Sequence, residues 1–344
     1  MKAAVRHEFG PPEVLHLEEV PTPTPGPNEV RIRVRAASVN LGDWELLTGD
    51  PWWITFLASV FAKRPRVAVP TRRRSAGRRG LLRPKFKILG SDLAGTIDAV
   101  GDKVTRFRAG DDVFGDCGVY GFGAFAEYVC VPEDALLVRK PEGLSFEQAA
   151  ALPQSACIAL QGIRDLAQVR PGMKVLINGG GGGTGTLAIQ LAKRAGAEVT
   201  AVDGPTKLEL MRSLGADRVI DYTREDFTES AERYDVILDM VAQRSVLHMR
   251  RSLTPNGVYL LGGGAGKPTA QAALLGPLLS RTGNGRVVFL LAEPAPENLT
   301  HLAELGRSGD VVPVLDACLP LAEADEALRR VGEKRALGKV ILTA

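Results

Sequence analysis

Five consecutive glycines, Gly179–Gly183, sit in the stretch KVLINGGGGGTGTLAIQLAK. Gly180, Gly182 and Gly185 stand at the spacing GxGxxG, with Gly183 and Thr184 between the last two. In a run of five glycines that spacing is weak evidence, and its surroundings say more. Lys174–Asn178 is a β-branched run fit for a strand, Leu187–Ala195 has the period of an amphipathic helix, and a second strand-like run ends on Asp203, 23 residues after Gly180. A strand turning into a helix leaves the first helical N–H groups unpaired, with partial positive charge beside them. A loop without side chains lets an anion reach those groups. The chemistry that suits this frame is the pyrophosphate of a dinucleotide. The plain alternative is a flexible glycine turn capping an ordinary strand–helix unit.

The end of the second strand bears on which dinucleotide it is. The Asp203 carboxylate is placed to accept from a ribose 2′-hydroxyl, which favours NADH. Thr206 and Glu209 have capping-box spacing and predict a helix starting at once, with Lys207 in its first turn. There the ammonium and the helix end together suit a 2′-phosphate. Asp203 as a turn residue and Lys207 as a solvated charge are the bland readings. The reading taken is NADPH, with NADH left open.

These residues need elements to position them. The first 145 residues hold short runs rich in branched residues, among them KAAVR, EVRIRVRAASV, DVFGD and LLVRKP, punctuated by Pro and Gly. They predict a small barrel-like β domain. From residue 146 the rhythm changes. A helix broken near Pro153 leads into six strand candidates (174–178, 198–202, 218–222, 235–240, 257–262 and 286–291) with helical stretches between them. That alternation predicts a parallel sheet covered on both faces. The tail, with a closing strand KVILTA, is expected to return to the first domain. The fold class is therefore α/β, with a β domain formed by 1–145 and 310–344 and a Rossmann domain over 146–309.

Composition excludes several classes. With 344 residues, 45% of them hydrophobic, and a net charge of +3, the chain carries no field that would steer it to nucleic acid or membrane. The charge is uneven, however: residues 63–87 hold eleven Lys or Arg and no acid. That segment is expected to be a solvated loop, with an electrostatic collar for an acidic substrate as the functional alternative and nucleic acid a remote one. Cys117, Cys130, Cys157 and Cys318 form no CxxC pair and read as buried thiols of a reducing compartment. No apolar stretch is long enough to span a membrane. The start MKAAVRHEFG lacks an apolar signal core. A cytoplasmic location is expected.

The segments RAASVNLGDW, ILGSDLAGTIDAVG, GAFAEYVCVPEDALLVRKP, KVLINGGGGGTG, SLGADRVIDY and GKVILTA together resemble the medium-chain dehydrogenases/reductases, in their zinc-independent quinone oxidoreductase branch. The resemblance spans nearly the whole chain. It implies a GroES-like β-barrel catalytic domain, a Rossmann domain, a cleft between them and a homodimer or tetramer, of which the homodimer is taken. It also implies that Asn40 meets substrate or nicotinamide, with a turn-capping amide as the plain alternative, and that Tyr222 lies near the adenosine, with a core aromatic as its alternative. The zinc ligands of metal-dependent relatives would fall at Asn40 and Ser91, which are poor donors for zinc, so no metal is expected. A tyrosine frequent in the family is replaced by Glu45, which removes that proton donor.

Without a Lewis acid, the acceptor must delocalise charge by itself, which points to quinones or α,β-unsaturated carbonyls as small-molecule substrates. A non-catalytic dinucleotide sensor or scaffold is the rival reading. A zinc-free alcohol or ketone reductase is a more distant one.

Overall fold

The structure is a computed structural model that describes residues 1–51, 84–264, 268, 269, 271, 272, 276, 279, 285–293 and 295–344. Most of the basic segment therefore lies outside the described residues. In chain order the first stretch supplies β1 (Lys2–Arg6), β2 (Leu15–Glu19), β3 (Glu29–Val39), helix α1 (Leu41–Thr48), β4 (Asp92–Val100), β5 (Asp112–Asp116), β6 (Tyr128–Pro132), β7 (Leu136–Arg139) and α2 (Phe146–Ala150). The central stretch supplies α3 (Pro153–Leu160), β8 (Lys174–Asn178), α4 (Gly183–Arg194), β9 (Glu198–Asp203), α5 (Leu208–Ser213), β10 (Arg218–Asp221), β11 (Tyr234–Asp239), α6 (Val246–Arg250), β12 (Leu253–Leu261) and β13 (Arg286–Phe289). The tail adds α7 (Pro296–Ser308), β14 (Leu315–Pro320), α8 (Ala324–Gly332) and β15 (Lys339–Thr343).

Two compact units result, one of Met1–Gln154, Pro294–Ser308 and Leu315–Ala344, the other of Ser155–Glu293 and Gly309–Val314. Residues 146–154 and 294–308, which the sequence reading assigned to the central domain, cluster with the β-rich unit. The reason is packing: α2 lies on β3, β4 and β5, and α7 lies on β7.

In the β-rich unit a seven-stranded sheet runs β14-β15-β3-β4-β5-β7, with β6 paired to β3. Its long strand β3 alternates Val30, Ile32 and Val34 inward with Arg33 and Arg35 outward, the period of a half-buried strand. Phe114, Leu93, Ile97 and Leu137 fill the interior. The closing strand β15 pairs antiparallel with β3, Val340 opposite Val39, so the last residues finish a sheet begun by the first forty.

The central sheet is parallel, in the order β10-β9-β8-β11-β12-β13. Numbered from its own first strand this is 3-2-1-4-5-6, the doubly wound order, which reverses direction between β8 and β11 and opens a crevice at their carboxyl ends. The strands are apolar on both sides, as burial under two helical layers requires: Val175, Leu176, Ile177, Ile237 and Leu238 are inaccessible.

Three of the four cysteines, Cys117, Cys130 and Cys157, are buried, and none of the four is in a disulfide. Cys318 is exposed, against the expectation of buried thiols, because it lies on β14 at the sheet edge.

Candidate active site

In the central unit, the glycine loop joins β8 to α4, and its glycines differ in what confines them. Gly179 has φ +89°, a conformation that L side chains rarely adopt. A Cβ on Gly180 would meet Met211 Sδ at 2.7 Å, and one on Gly185 would meet Gly179 O at 2.1 Å, so these two let strand, loop and helix close on one another. Gly182 differs: its Cβ would find only Gly179 O at 3.5 Å and otherwise open space. Gly182 caps α4, and the N–H groups of Gly183, Thr184 and Gly185 form the first turn behind it, where no intrahelical acceptor exists. Of Gly179, Gly180, Gly181, Gly182 and Gly185, only Gly182 has open space beside it.

Gly181, which lies outside the GxGxxG spacing, is constrained by a side chain. A Cβ there would stand 2.5 Å from Lys207 Cδ. The Lys207 stem lies buried across the loop, with Nζ 3.8 Å from Asp203 Oδ1. Asp203 in turn accepts the Gly181 N–H on Oδ2 (2.9 Å) and the Gly204 N–H on Oδ1 (2.8 Å). Its carboxylate therefore organises the loop before any ribose arrives. The helix after β9 begins with a 3-10 turn at Pro205–Lys207 capped by Gly204, and neither Thr206 nor Glu209 forms the expected capping box. Pro205 at the first helical position moves the start one residue ahead of Thr206. Tyr222 is 56% exposed, so it is no core aromatic, and its ring edge would lie 3.6 Å from a Cβ at Gly204. Lys207, Gly204 and Tyr222 thus form one corner at the carboxyl ends of β9 and β10.

At those same sheet ends a second acid, Asp239, is fully buried. Its Oδ1 accepts from Asn178 Nδ2 (2.8 Å) and from the N–H groups of Val241 and Ala242 (3.0 Å each), and its Oδ2 accepts from Tyr259 Oη (2.8 Å). This fixes the loop after β11 against Gly179.

The β-rich unit contains a separate polar centre. Register creates it: Ser38 lies opposite Asp92 on β4 and Asp92 opposite Asp116 on β5, while Lys339 and Asn40 each stand one residue beyond the Val340–Val39 pair. Asn40 is 7% exposed and fully engaged. Its Oδ1 accepts from Lys339 Nζ (2.6 Å), while its Nδ2 donates to Asp92 Oδ2 (3.0 Å) and Ser91 Oγ (3.3 Å). Asp43 accepts the N–H of Asn40 and of Gly90, pinning the start of α1 to the turn before β4. Gly90, at φ +89°, leaves no room for a Cβ, which would lie 2.4 Å from the Phe125 ring.

Burial sets the electrostatics here. It pushes the Asp43 carboxyl up to about 6, against the pull of its two backbone N–H donors. It raises Asp92 and lowers Lys339, and each charge offsets the shift of the other. Burial also lifts the Cys117 thiol well above its ordinary value, which makes it a poor nucleophile. On α1, burial alone pushes the Glu45 carboxyl up to about 7.

Comparison with known proteins meets this geometry. Residues 26–142 match the family described as alcohol dehydrogenase GroES-like domain, and residues 214–342 match that described as zinc-binding dehydrogenase. An NADPH-dependent alkenal/one oxidoreductase of Arabidopsis thaliana chloroplasts is 33% identical over 75% of this chain, which spans 64% of that relative's length. A chloroplast envelope quinone oxidoreductase homolog, also from Arabidopsis thaliana, is 31% identical over 77% of this chain and 83% of its own length. The chain belongs to the medium-chain dehydrogenase/reductase family. The solved structure of the quinone oxidoreductase from Coxiella burnetii superposes with a TM-score of 0.85 at 28% identity, covering 100% of this chain and 99% of that one. As a member of the quinone oxidoreductase branch, the chain is an oxidoreductase with a nicotinamide-dinucleotide fold.

The structure brings Gly180, Gly182, Gly183, Thr184, Gly185, Asp203, Lys207 and Tyr222 to one place in this medium-chain reductase and sets Asn40 in the other unit. Sequence reasoning missed Gly181 and Lys339. Gly181 was masked by its neighbours in the run. Lys339 carried a signal, a lysine opening an apolar closing strand, but its partner lies 299 residues away.

Proposed function

We propose that this chain reduces quinones or α,β-unsaturated carbonyls with NADPH, by hydride transfer without a metal. The observation that carries the cofactor choice is the corner of Lys207, Gly204 and Tyr222, with Asp203 already committed to the loop. A carboxylate held by two backbone N–H groups is a weak competitor for a ribose hydroxyl, and the lysine, 3.8 Å from it and outside hydrogen-bond distance, is a partner for a 2′-phosphate. When bound, NADPH supplies the hydride. Gly182 and the first turn of α4 would hold the pyrophosphate, Lys207 the 2′-phosphate, and Tyr222 the adenosine. The Asp239 network keeps the loop after β11 in one conformation, so less ordering is needed on binding.

A metal-free reaction is supported by the donor set rather than by any absence of an ion. At the two positions read as ligand equivalents stand an amide and a hydroxyl, and the amide oxygen of Asn40 is already bonded to the Lys339 amine. A zinc ion there would have to displace a buried lysine. Among the described residues no group of three His, Cys, Asp or Glu could hold a metal. Acceptors that spread the incoming charge over a conjugated system suit such a site. The reading includes a homodimer working in the cytoplasm; among the described residues no helix is long and apolar enough to cross a membrane.

The test is NADPH oxidation by the purified full chain with a simple quinone and with an enone, beside NADPH binding followed by fluorescence. Turnover with either acceptor is expected. Tight NADPH binding with no turnover would instead make the protein a dinucleotide sensor, and turnover that needs added zinc would overturn the metal-free step.

A further inference from the structure

Asn178 ends β8 and stands directly before the first glycine of the loop. Its neighbour across the sheet is Asp239, the last residue of β11, and the two are in register. Strand order reverses between β8 and β11, so this pair bridges the point at which a doubly wound sheet opens its crevice.

Asp239 fixes the direction of the amide. The carboxylate is fully buried, and the groups that meet it are donors: Asn178 Nδ2 (2.8 Å), the N–H groups of Val241 and Ala242, and Tyr259 Oη (2.8 Å). Burial, and then the charge of Asp239, hold the Tyr259 hydroxyl well above its ordinary range, so the phenol keeps its proton and is the donor of that pair. A flipped Asn178 amide would set its oxygen against Asp239 Oδ1, so the NH₂ is held toward Asp239 and the oxygen away from it. The surroundings are rigid as well: Ala242, its N–H bound to the same Oδ1, keeps φ +52°, which residues with a side chain seldom adopt.

The amide oxygen is left over. Asn178 is half-buried and its backbone carbonyl is taken by the Met240 N–H, but its Oδ1 meets no donor among the described residues. Unlike Asp92 Oδ1 or Ser252 Oγ, which are sealed in without a partner, it is reached by solvent.

Sheet order says which part of a dinucleotide passes here. The corner of Lys207, Gly204 and Tyr222 lies at the ends of β9 and β10, on one side of β8, and β11 lies on the other. With the adenosine half at that corner and the pyrophosphate at Gly182, the remaining half leaves toward β11. The first group it presents after the pyrophosphate is the second ribose, whose hydroxyls need acceptors once water is displaced.

We propose that Asn178 is a binding residue for that second ribose: its Oδ1 accepts a hydroxyl of the sugar that carries the nicotinamide. The proposal rests on the dinucleotide reading above and lies wholly within the central unit.

Asn178→Ala in the full-length protein is titrated with three ligands. They are NADPH; 2′-phospho-ADP-ribose, which keeps the second ribose and lacks the nicotinamide; and 2′,5′-ADP, which lacks both. NADPH is followed by its fluorescence and the other two by calorimetry. NADPH and 2′-phospho-ADP-ribose should each bind about 3- to 10-fold more weakly than to the unmutated protein, and 2′,5′-ADP should stay within about twofold. Asn178→Ser, which keeps a donor for Asp239 and deletes the amide oxygen, should show the same pattern, and it decides if the alanine variant does not fold. Equal losses with all three ligands would make Asn178 only a prop for the glycine loop. A loss confined to NADPH would put the amide on the nicotinamide instead. Either result overturns the proposal, as does unchanged affinity throughout. An unmutated protein that binds none of the three would sink the dinucleotide reading itself, and the proposal with it.

Discussion

Replacing Glu45 by Gln should stabilise the protein at alkaline pH and leave it nearly unchanged in acid. Glu45 lies half-buried on α1, and burial alone moves its carboxyl from 4.5 to about 7. A raised carboxyl binds its proton more tightly in the folded state. Its stabilising contribution is complete below 4.5 and is lost as pH rises through 7. At about 1.36 kcal/mol per unit, holding the ionised form in the fold costs roughly 3 kcal/mol above pH 8, an upper figure because water reaches part of the side chain. Gln keeps the shape and cannot ionise. Urea unfolding at pH 5, 6, 7 and 8, followed by tryptophan fluorescence, measures the effect, since Trp44, Trp52 and Trp53 all belong to the first unit's sequence. The variant should gain on the unmutated chain by about 2–3 kcal/mol between pH 5 and pH 8. A difference that stays constant with pH, or a variant less stable at pH 8, would refute the assignment of that carboxyl.

The remaining predictions concern the dinucleotide. Gly182→Val fills the open position at the helix cap and should weaken NADPH and NADH more than 100-fold, at roughly 3 kcal/mol, while circular dichroism and the melting midpoint stay near those of the parent; unchanged affinity would move the pyrophosphate elsewhere. Lys207→Ala should cost NADPH about 10- to 100-fold and NADH little, in line with roughly 1.5–3 kcal/mol for a charge-assisted bond; equal losses would remove the 2′-phosphate role. Asp203→Asn turns one acceptor into a donor facing a backbone N–H and should weaken both dinucleotides about tenfold. A loss confined to NADH would restore Asp203 to the ribose.

Strong periodicity made much of the fold legible. The runs KAAVR, EVRIRVRAASV, DVFGD and KVLIN coincide with strands, because alternation or continuous β-branching is a local property. Helix α1 and helix α8 were not read. The first is eight residues of mixed character, and the second, within LAEADEALRRVG, is a nine-residue helix behind a 3-10 turn. The glycine loop was legible as a phosphate cradle, but the division of labour within it was not. Gly180 and Gly185 serve packing, while Gly182 serves the ligand, and only the positions of Met211 and Gly179 O reveal this. Asp203 and Lys207 were both picked out, yet their mutual arrangement depends on how Lys207 lies across Gly181, which no spacing rule encodes. Asn40 was expected to face substrate through its own amide. Its three partners come from β4, the turn before it and β15, so its engagement is a matter of sheet register, and register between distant strands is not written in local pattern.

The pairing of β15 with the end of β3 has a consequence for biosynthesis. The contact between Lys339 and Asn40 joins residues 299 apart. At ~5–20 residues per second, ~15–60 s separate the emergence of Asn40 from that of its lysine. Through that interval Ala36–Val39 have no neighbour on one side, although β6 has already taken the other half of the same edge at Glu29–Arg33. An open edge of small and apolar residues, buried in the finished fold, invites pairing with the wrong chain. The central sheet, by contrast, draws all six strands from one continuous stretch and can finish while the first unit waits. A nascent chain should therefore bind dinucleotide before it can turn over substrate, and the last turns of synthesis should be where aggregation competes with completion.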